Sequence, residues 1–286
     1  MDYGREPSFG VFLTPFAAEP RHTVGLAVLA EQAGLDLVTF QDHPYQPRFL
    51  DTWTLLSYVA ARTERVTLAG DVLNLPLRLP AVLASAVASL DRLSGGRVAL
   101  GLGAGGFWDA IVAVGGPRRT PGEAVDALEE GIGIIRERWN TDATGGIFRE
   151  GTYYSAVGAK RGPAPVHDVP IWIGAYRPRM LALIGRLGDG WLPSLGRYES
   201  LKELNEGHAR IDESALAAGR DPASIRRLAN LDASDPDFLA DLALSHGIDT
   251  FLFASDDPTA IERFARGTAP EVRRLIAAGR RDNLAS

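Results

Sequence analysis

Asp42 and His43 are the residues of this chain whose types and placing most directly suggest chemistry. They stand right after the apolar run 35–40, where a carboxylate and an imidazole meet at the end of such a run. Imidazole titrates near neutrality, so His43 can hold or pass a proton. The plainer reading makes Asp42 a turn cap and His43 a half-buried polar residue. Asp71 lies inside another apolar run, 66–73, where an unpaired carboxylate is costly. It needs either a partner or a bend that opens the strand, and Arg78 follows as a partner or a surface arginine. The stretch SGGRVALGLGAGG, 94–106, ends one helix at paired glycines, runs through an apolar strand, and closes in a loop that is little but backbone. Main-chain N–H groups of Ala104, Gly105 and Gly106 can approach an anion or a planar ring closely. Ala175-Tyr176-Arg177, followed by Pro178-Arg179, opens a helix whose first amides and two arginines suit a phosphate. Arginine is a poor choice for a first helical turn, where the dipole end is positive, and that conflict favours a binding role.

These groups must be positioned by the elements around them, and those alternate. Apolar strands are expected at 9–13, 35–40, 66–73, 97–102, 170–175, 190–193, 225–231 and 249–253. Helices are expected at 22–34, 52–62, 81–93, 121–139, 179–187, 200–218, 236–245 and 259–280. Asp51 reads as an N-cap, and Thr120 with Glu123 as a capping box. Residues 140–169 interrupt the alternation with two β-like pieces at 147–150 and 152–156. Eight strand–helix units with no linker predict a (β/α)₈ TIM barrel, one domain over 1–286, with 140–169 as an insertion carrying a hairpin. A doubly wound sheet is the alternative. In a barrel the groups above all fall at strand ends, on the mouth where such folds bind ligands.

Composition narrows the functions. The formal net charge of −6 argues against a nucleic-acid binder, and it means that an anionic ligand must be met by local donors. There is no cysteine, hence no disulfide or thiolate metal site, and no metal centre is expected. No signal-like start or long apolar run appears, so a cytoplasmic protein off the membrane is expected. There is no GxxxxGK[ST], HExxH or GxSxG motif. GLGAGG fits GxGxxG only as a lone match, without the acidic ribose partner of a dinucleotide site.

In order and spacing, Gln41-Asp42-His43, GDVLNLPLRLPAVLA (70–84), LDRLSGGRVALGLGAGG (90–106) and GRLGDGWLP (185–193) carry a resemblance that covers nearly the whole chain. The sequence resembles the luciferase-like monooxygenase family, the flavin- and deazaflavin-dependent oxidoreductases of the bacterial luciferase superfamily. The resemblance implies a TIM barrel with a flavin-type ring, from FMN or the deazaflavin coenzyme F-420, at its C-terminal mouth. It implies that His43 faces the ring and that the loops at 103–106 and 175–177 line the phosphate end. It also implies a non-proline cis peptide at Asp71–Val72, behind the ring. Catalysis would then rest on His43 with Asp42, and cofactor binding on Asp71, Val72, Ala104, Gly105, Gly106, Ala175, Tyr176 and Arg177. Sugar-phosphate dehydrogenases of this family carry a tryptophan soon after the Asp-His pair and a glutamate in the fourth loop. Here those places read Pro44-Tyr45-Gln46-Pro47 and Gly106, so their substrate is not carried over. The expectation is an oxidoreductase or monooxygenase acting on a small organic molecule. A homodimer and, for an FMN enzyme, a separate flavin reductase would accompany it. A non-catalytic barrel binding a phosphorylated ligand is the rival.

Overall fold

The computed structural model describes residues 1–285. The first three strands and helices are β1 (Ser8–Leu13), α1 (Pro20–Gln32), β2 (Leu37–Phe40), α2 (Thr52–Ala60), β3 (Thr67–Gly70), β4 (Leu73–Asn74) and α3 (Pro80–Ser94). There follow β5 (Leu100–Gly103), α4 (Trp108–Ala113), α5 (Pro121–Trp139) and a hairpin of β6 (Ile147–Arg149) and β7 (Ala156–Ala159). The chain then runs through β8 (Ile171–Ile173), α6 (Pro178–Leu187), β9 (Gly190–Trp191), α7 (Leu201–Ala217), β10 (Arg226–Leu231) and α8 (Pro236–Leu244). It ends in β11 (Thr250–Ala254), α9 (Pro258–Arg263), a π turn at Phe264–Thr268 and α10 (Ala269–Ala285). Six of these helices open on a proline in the first turn, where its missing N–H and fixed φ cost nothing.

The main sheet runs β3-β2-β1-β11-β10-β9-β8-β5-β4, with every neighbouring pair parallel. Its two ends, β3 and β4, are the halves of one strand, so the sheet closes into the expected (β/α)₈ barrel. Strand three, expected as continuous over 66–73, is broken: β3 pairs with β2 and β4 pairs with β5. The break falls at Asp71–Val72, which is a cis peptide bond. Gly101, Gly103 and Gly174 on the neighbouring strands make the space. A methyl group on Gly103 would come 2.7 Å from Val72 Cγ2, and one on Gly101 would come 1.9 Å from the carbonyl oxygen of Gly70. Other expectations shift by a few residues. The second piece of the insertion hairpin lies at Ala156–Ala159 and not at 152–156, and α4 was not legible in the pattern.

The larger apolar core lies between strands and helices, while Leu37, Ala69, Ala99, Trp172, Leu192, Leu228 and Leu252 fill the barrel itself. At the N-terminal end, side-chain carboxylates accept the amides that open the strands. Phe9 N donates to Asp36 (2.9 Å), Val66 N to Glu31 (3.0 Å), Ile171 N to Asp189 (2.9 Å) and Arg227 N to Asp249 (3.0 Å). Asp91, fully buried, accepts Val166 N at 2.8 Å and bonds His167 at 2.9 Å. These groups satisfy backbone that would otherwise be buried without a partner.

His208, on α7, is also fully buried, and its ring meets Trp191 edge-on at 4.8 Å. Among the described residues neither of its ring nitrogens has a hydrogen-bond partner. Burial, and then the charges of Arg227, His246 and the N-terminus, hold its pKa well below the ordinary 6.5. The unfolded chain therefore binds a proton that the folded chain refuses, and stability must fall as pH drops below about 6.5. The slope is at most about 1.4 kcal/mol per pH unit for this one proton. Thermal melts from pH 7.5 to 5, a range of about two and a half units around that reference value, should show this decline, and His208→Phe should flatten it.

Candidate active site

Strand two delivers Asp42 and His43 to the mouth, and the loop after it is pinned locally. Thr52 Oγ1 donates to Gln41 O at 2.6 Å, and Asp51 caps α2 by accepting Thr54 N at 2.8 Å. The two expected catalytic side chains serve different neighbours. Asp42 is 3% exposed and accepts Asn74 N at 2.8 Å and Arg78 Nη2 at 2.9 Å. Arg78 reaches on to Asp51 at 3.4 Å. His43 Nδ1 instead meets Tyr45 Oη at 2.9 Å. Its ring sits among Tyr45 (5.6 Å), Phe49 (6.3 Å) and Phe107 (5.5 Å, edge-on). Burial lowers the His43 pKa, and the nearby Asp42 charge opposes that shift. Burial thus favours the neutral imidazole. Burial also pushes the Tyr45 hydroxyl up to about 12.

Asp71 lies at the floor of the mouth, enclosed by protein yet touched by solvent from above. Desolvation raises its carboxyl to about 7, against a hydrogen bond of 3.2 Å from Asn230 Nδ2. Asn230 ends strand seven and was not singled out in the sequence, although a buried amide in the run Arg226–Leu231 was a readable signal. Asn74 was missed likewise. Its backbone is tied to Asp42, but its buried Oδ1 has no hydrogen-bond partner among the described residues. A buried acceptor left unmade is costly unless something supplies a donor.

In the loop of strand four, Gly105 has φ +96°, and a Cβ there would strike Trp108 and Pro76 within 3 Å. Among the described residues the amides of Gly105, Gly106 and Tyr176 make no hydrogen bond within the chain. Ala175 is buried, and its carbonyl accepts Trp191 Nε1 at 3.0 Å. Tyr176 Oη accepts Ser194 N at 2.8 Å, which joins the loops of strands five and six. Arg177 is exposed and, among the described residues, its guanidinium makes no ion pair. Two other arginines are engaged elsewhere: Arg179 with Asp126 (2.6 Å), and Arg161 with Glu137 at the far end of α5. The fold therefore brings Asp42, His43, Asp71, Val72, Ala104, Gly105, Gly106, Ala175, Tyr176 and Arg177 to one end of the barrel.

Fold and mouth together define a parallel (β/α)₈ barrel with Asp42, His43, Asp71 and the loop amides of Gly105, Gly106 and Tyr176 at one end. The chain belongs to the luciferase-like monooxygenase family, whose model matches residues 8–234. It is 34% identical over 271 residues to an F-420-dependent glucose-6-phosphate dehydrogenase of Mycolicibacterium fortuitum, covering 86% of this chain and 76% of that one. A like-named enzyme of Rhodococcus jostii is 33% identical with the same coverage. Among solved structures, an F-420-dependent secondary alcohol dehydrogenase with an F-420–acetone adduct superposes with a TM-score of 0.82 at 19% identity, over 94% of this chain and 99% of that one. A type II Baeyer–Villiger monooxygenase of Pseudomonas putida in complex with FMN gives 0.75 at 18% identity, over 94% and 99%. These last two establish a shared fold.

Removing one partner of a buried ion pair leaves the other charge uncompensated, at a cost of about 3–5 kcal/mol. The Asp42 side chain is 1% exposed and that of Arg78 17%. Because Arg78 keeps Asp51 and some solvent, Asp42→Ala should lower unfolding free energy by less than that, about 1–3 kcal/mol for the Asn74 amide left without an acceptor, in a urea titration, and loosen Asn74 with it.

Proposed function

We propose that this protein is an oxidoreductase that binds coenzyme F-420 in the barrel mouth and uses His43 to hold or deliver the substrate proton. The observation that carries the reading is the convergence, on one mouth, of a neutral histidine, a buried acceptor without a donor and free loop amides beside an unpaired arginine. The residues present fit a flavin-type ring. Asn74 Oδ1 would accept a ring N–H, and Val72, seated on glycines, would back the ring. The amides of Gly105, Gly106 and Tyr176, with Arg177, would hold the anionic end. When bound, the deazaflavin supplies two-electron hydride chemistry. Ala104 and Ala175 line the walls, and Asp42 keeps the Asn74 and Arg78 segment in register with His43. The choice of F-420 over FMN draws its support from relatives named for it at one-third identity along most of both chains. The whole chain, 1–286, is read as one barrel domain with residues 140–169 inserted into it.

Titrating the purified protein with F-420 and with FMN, followed by fluorescence, tests the cofactor. Tight binding of F-420 alone is expected, and binding of FMN alone would reverse the choice. Arg177→Ala should weaken that binding about tenfold, the lower end for a charged hydrogen bond because Arg177 is exposed. His43→Gln should leave cofactor affinity within a few-fold yet cut turnover about 10²–10⁴-fold. A depressed His43 keeps its base form below pH 6.5. In the direction that removes a proton from substrate, and in an Asp71→Asn background that removes the other group of the mouth titrating near 7, kcat/KM should therefore stay level as pH falls to that ordinary value and decline only below it. Loss of activity already setting in above pH 6.5 in that background would exclude His43 as that base.

A further inference from the structure

Five rings form one connected patch on the side of the mouth formed by strands one, two and four. Phe16 meets Phe49 edge-on at 5.9 Å, Phe49 meets His43 at 6.3 Å, and His43 meets Tyr45 and Phe107 at 5.6 and 5.5 Å. Tyr45 and Phe107 close the circuit at 6.1 Å. The patch is packed on one face only: Phe16 is 44% exposed and Phe107 59%. Single exposed apolar residues need no explanation, but a contiguous set beside a candidate proton carrier marks a binding surface.

The charges around the mouth are unevenly placed, with Arg48, exposed in the loop that carries Tyr45 and Phe49, a cation of the aromatic loops without an ion pair among the described residues. Arg177 and Arg197, without ion pairs among the described residues, stand on the loops of strands five and six, the latter stacked on the Tyr176 ring at 5.0 Å. On the aromatic side Arg78 is spent on Asp42 and Asp51, and Asp256 and Asp71 lie nearby in the loops of strands eight and three. A phosphate or carboxylate placed over His43 would sit on ring faces, whose quadrupole is negative, and near those carboxyl groups. An uncharged ring placed there would gain both contact area and edge-to-face pairing.

We infer that the substrate is an uncharged aromatic or alicyclic molecule, seated by its ring against Phe107, Tyr45 and Phe49 with its polar group toward His43. This rests on the cofactor-dependent reading above and names its substrate class. It separates the chain from its sugar-phosphate-oxidising relatives, whose substrate the same wall would reject.

The test is calorimetric binding of acetophenone and of glucose 6-phosphate to the chain loaded with F-420 or FMN, whichever it takes up. Acetophenone should bind. Phe107→Ala should weaken it by about tenfold, about 1.4 kcal/mol, while melting with the parent. Phe107→Tyr should restore the affinity. Glucose 6-phosphate at about a hundredfold excess over acetophenone should not displace it. Displacement by glucose 6-phosphate, no binding of acetophenone, or an unchanged affinity in Phe107→Ala overturns the inference while the loaded cofactor still stands. A chain that takes up neither cofactor, seen at the loading step, overturns the cofactor reading and this inference with it.

Discussion

The buried pair of Asp42 and Arg78 is the interaction on which the mouth depends. A carboxylate excluded from water must be matched by donors, and Asp42 takes two: a guanidinium and the amide of Asn74. Each donor belongs to the segment just past the break in strand three. One side chain at the end of strand two therefore fixes where strand three resumes. His43 follows Asp42 directly, so the imidazole and the Asn74 amide group are held in fixed relation by the same carboxylate. Such a pair adds little net stability over a well-packed apolar alternative, but losing half of it is destabilising. Its value here is geometric.

The break itself is a packing solution. Val72 turns into the barrel where three glycines on strands four and five leave room, and no side chain could replace them without collision. Asp71, the residue before it, then reaches Asn230 across the floor. The glycines of the fourth strand thus do two things at once. They seat the floor of the mouth, and beyond Gly103 they continue into a loop whose amides stay free.

Much of this was legible in the sequence. Alternating apolar runs and helix caps gave eight units in order, because a parallel strand buried on both faces has no polar residue to hide it. Asp71 stood out because its type contradicted its surroundings. Val66–Leu73 looked continuous, however, since apolar composition does not report a change of pairing partner between β3 and β4. Asn230 and Asn74 were passed over because an asparagine at a strand end resembles any turn residue. The aromatic patch was hidden for another reason. Phe16, Phe49 and Phe107 come from three loops, and only the closure of the barrel makes them neighbours. The partners of Asp42 were not legible, since only the fold brings Arg78 and the Asn74 amide to its carboxylate, while its charge still acts on His43 beside it.

What supports the functional reading is the concentration of unspent polar groups at the mouth and not their mere presence, since among the described residues His208 and Arg227 Nε and Nη1 are also buried without partners. At the N-terminal end, Glu31, Asp36, Asp189 and Asp249 are consumed by strand amides and arginines. At the mouth, Asn74 Oδ1, three loop amides and Arg177 remain unspent among the described residues. A folded chain leaves buried polar capacity unfilled only at some cost. The unspent groups here come from the loops of strands three, four and five, and the free amides of Gly105 and Gly106 run directly into Phe107 of the aromatic patch. An anion-bearing planar cofactor would satisfy them. On the reading proposed above, Val72 would back its ring, and His43 with the aromatic wall would receive a second, uncharged molecule.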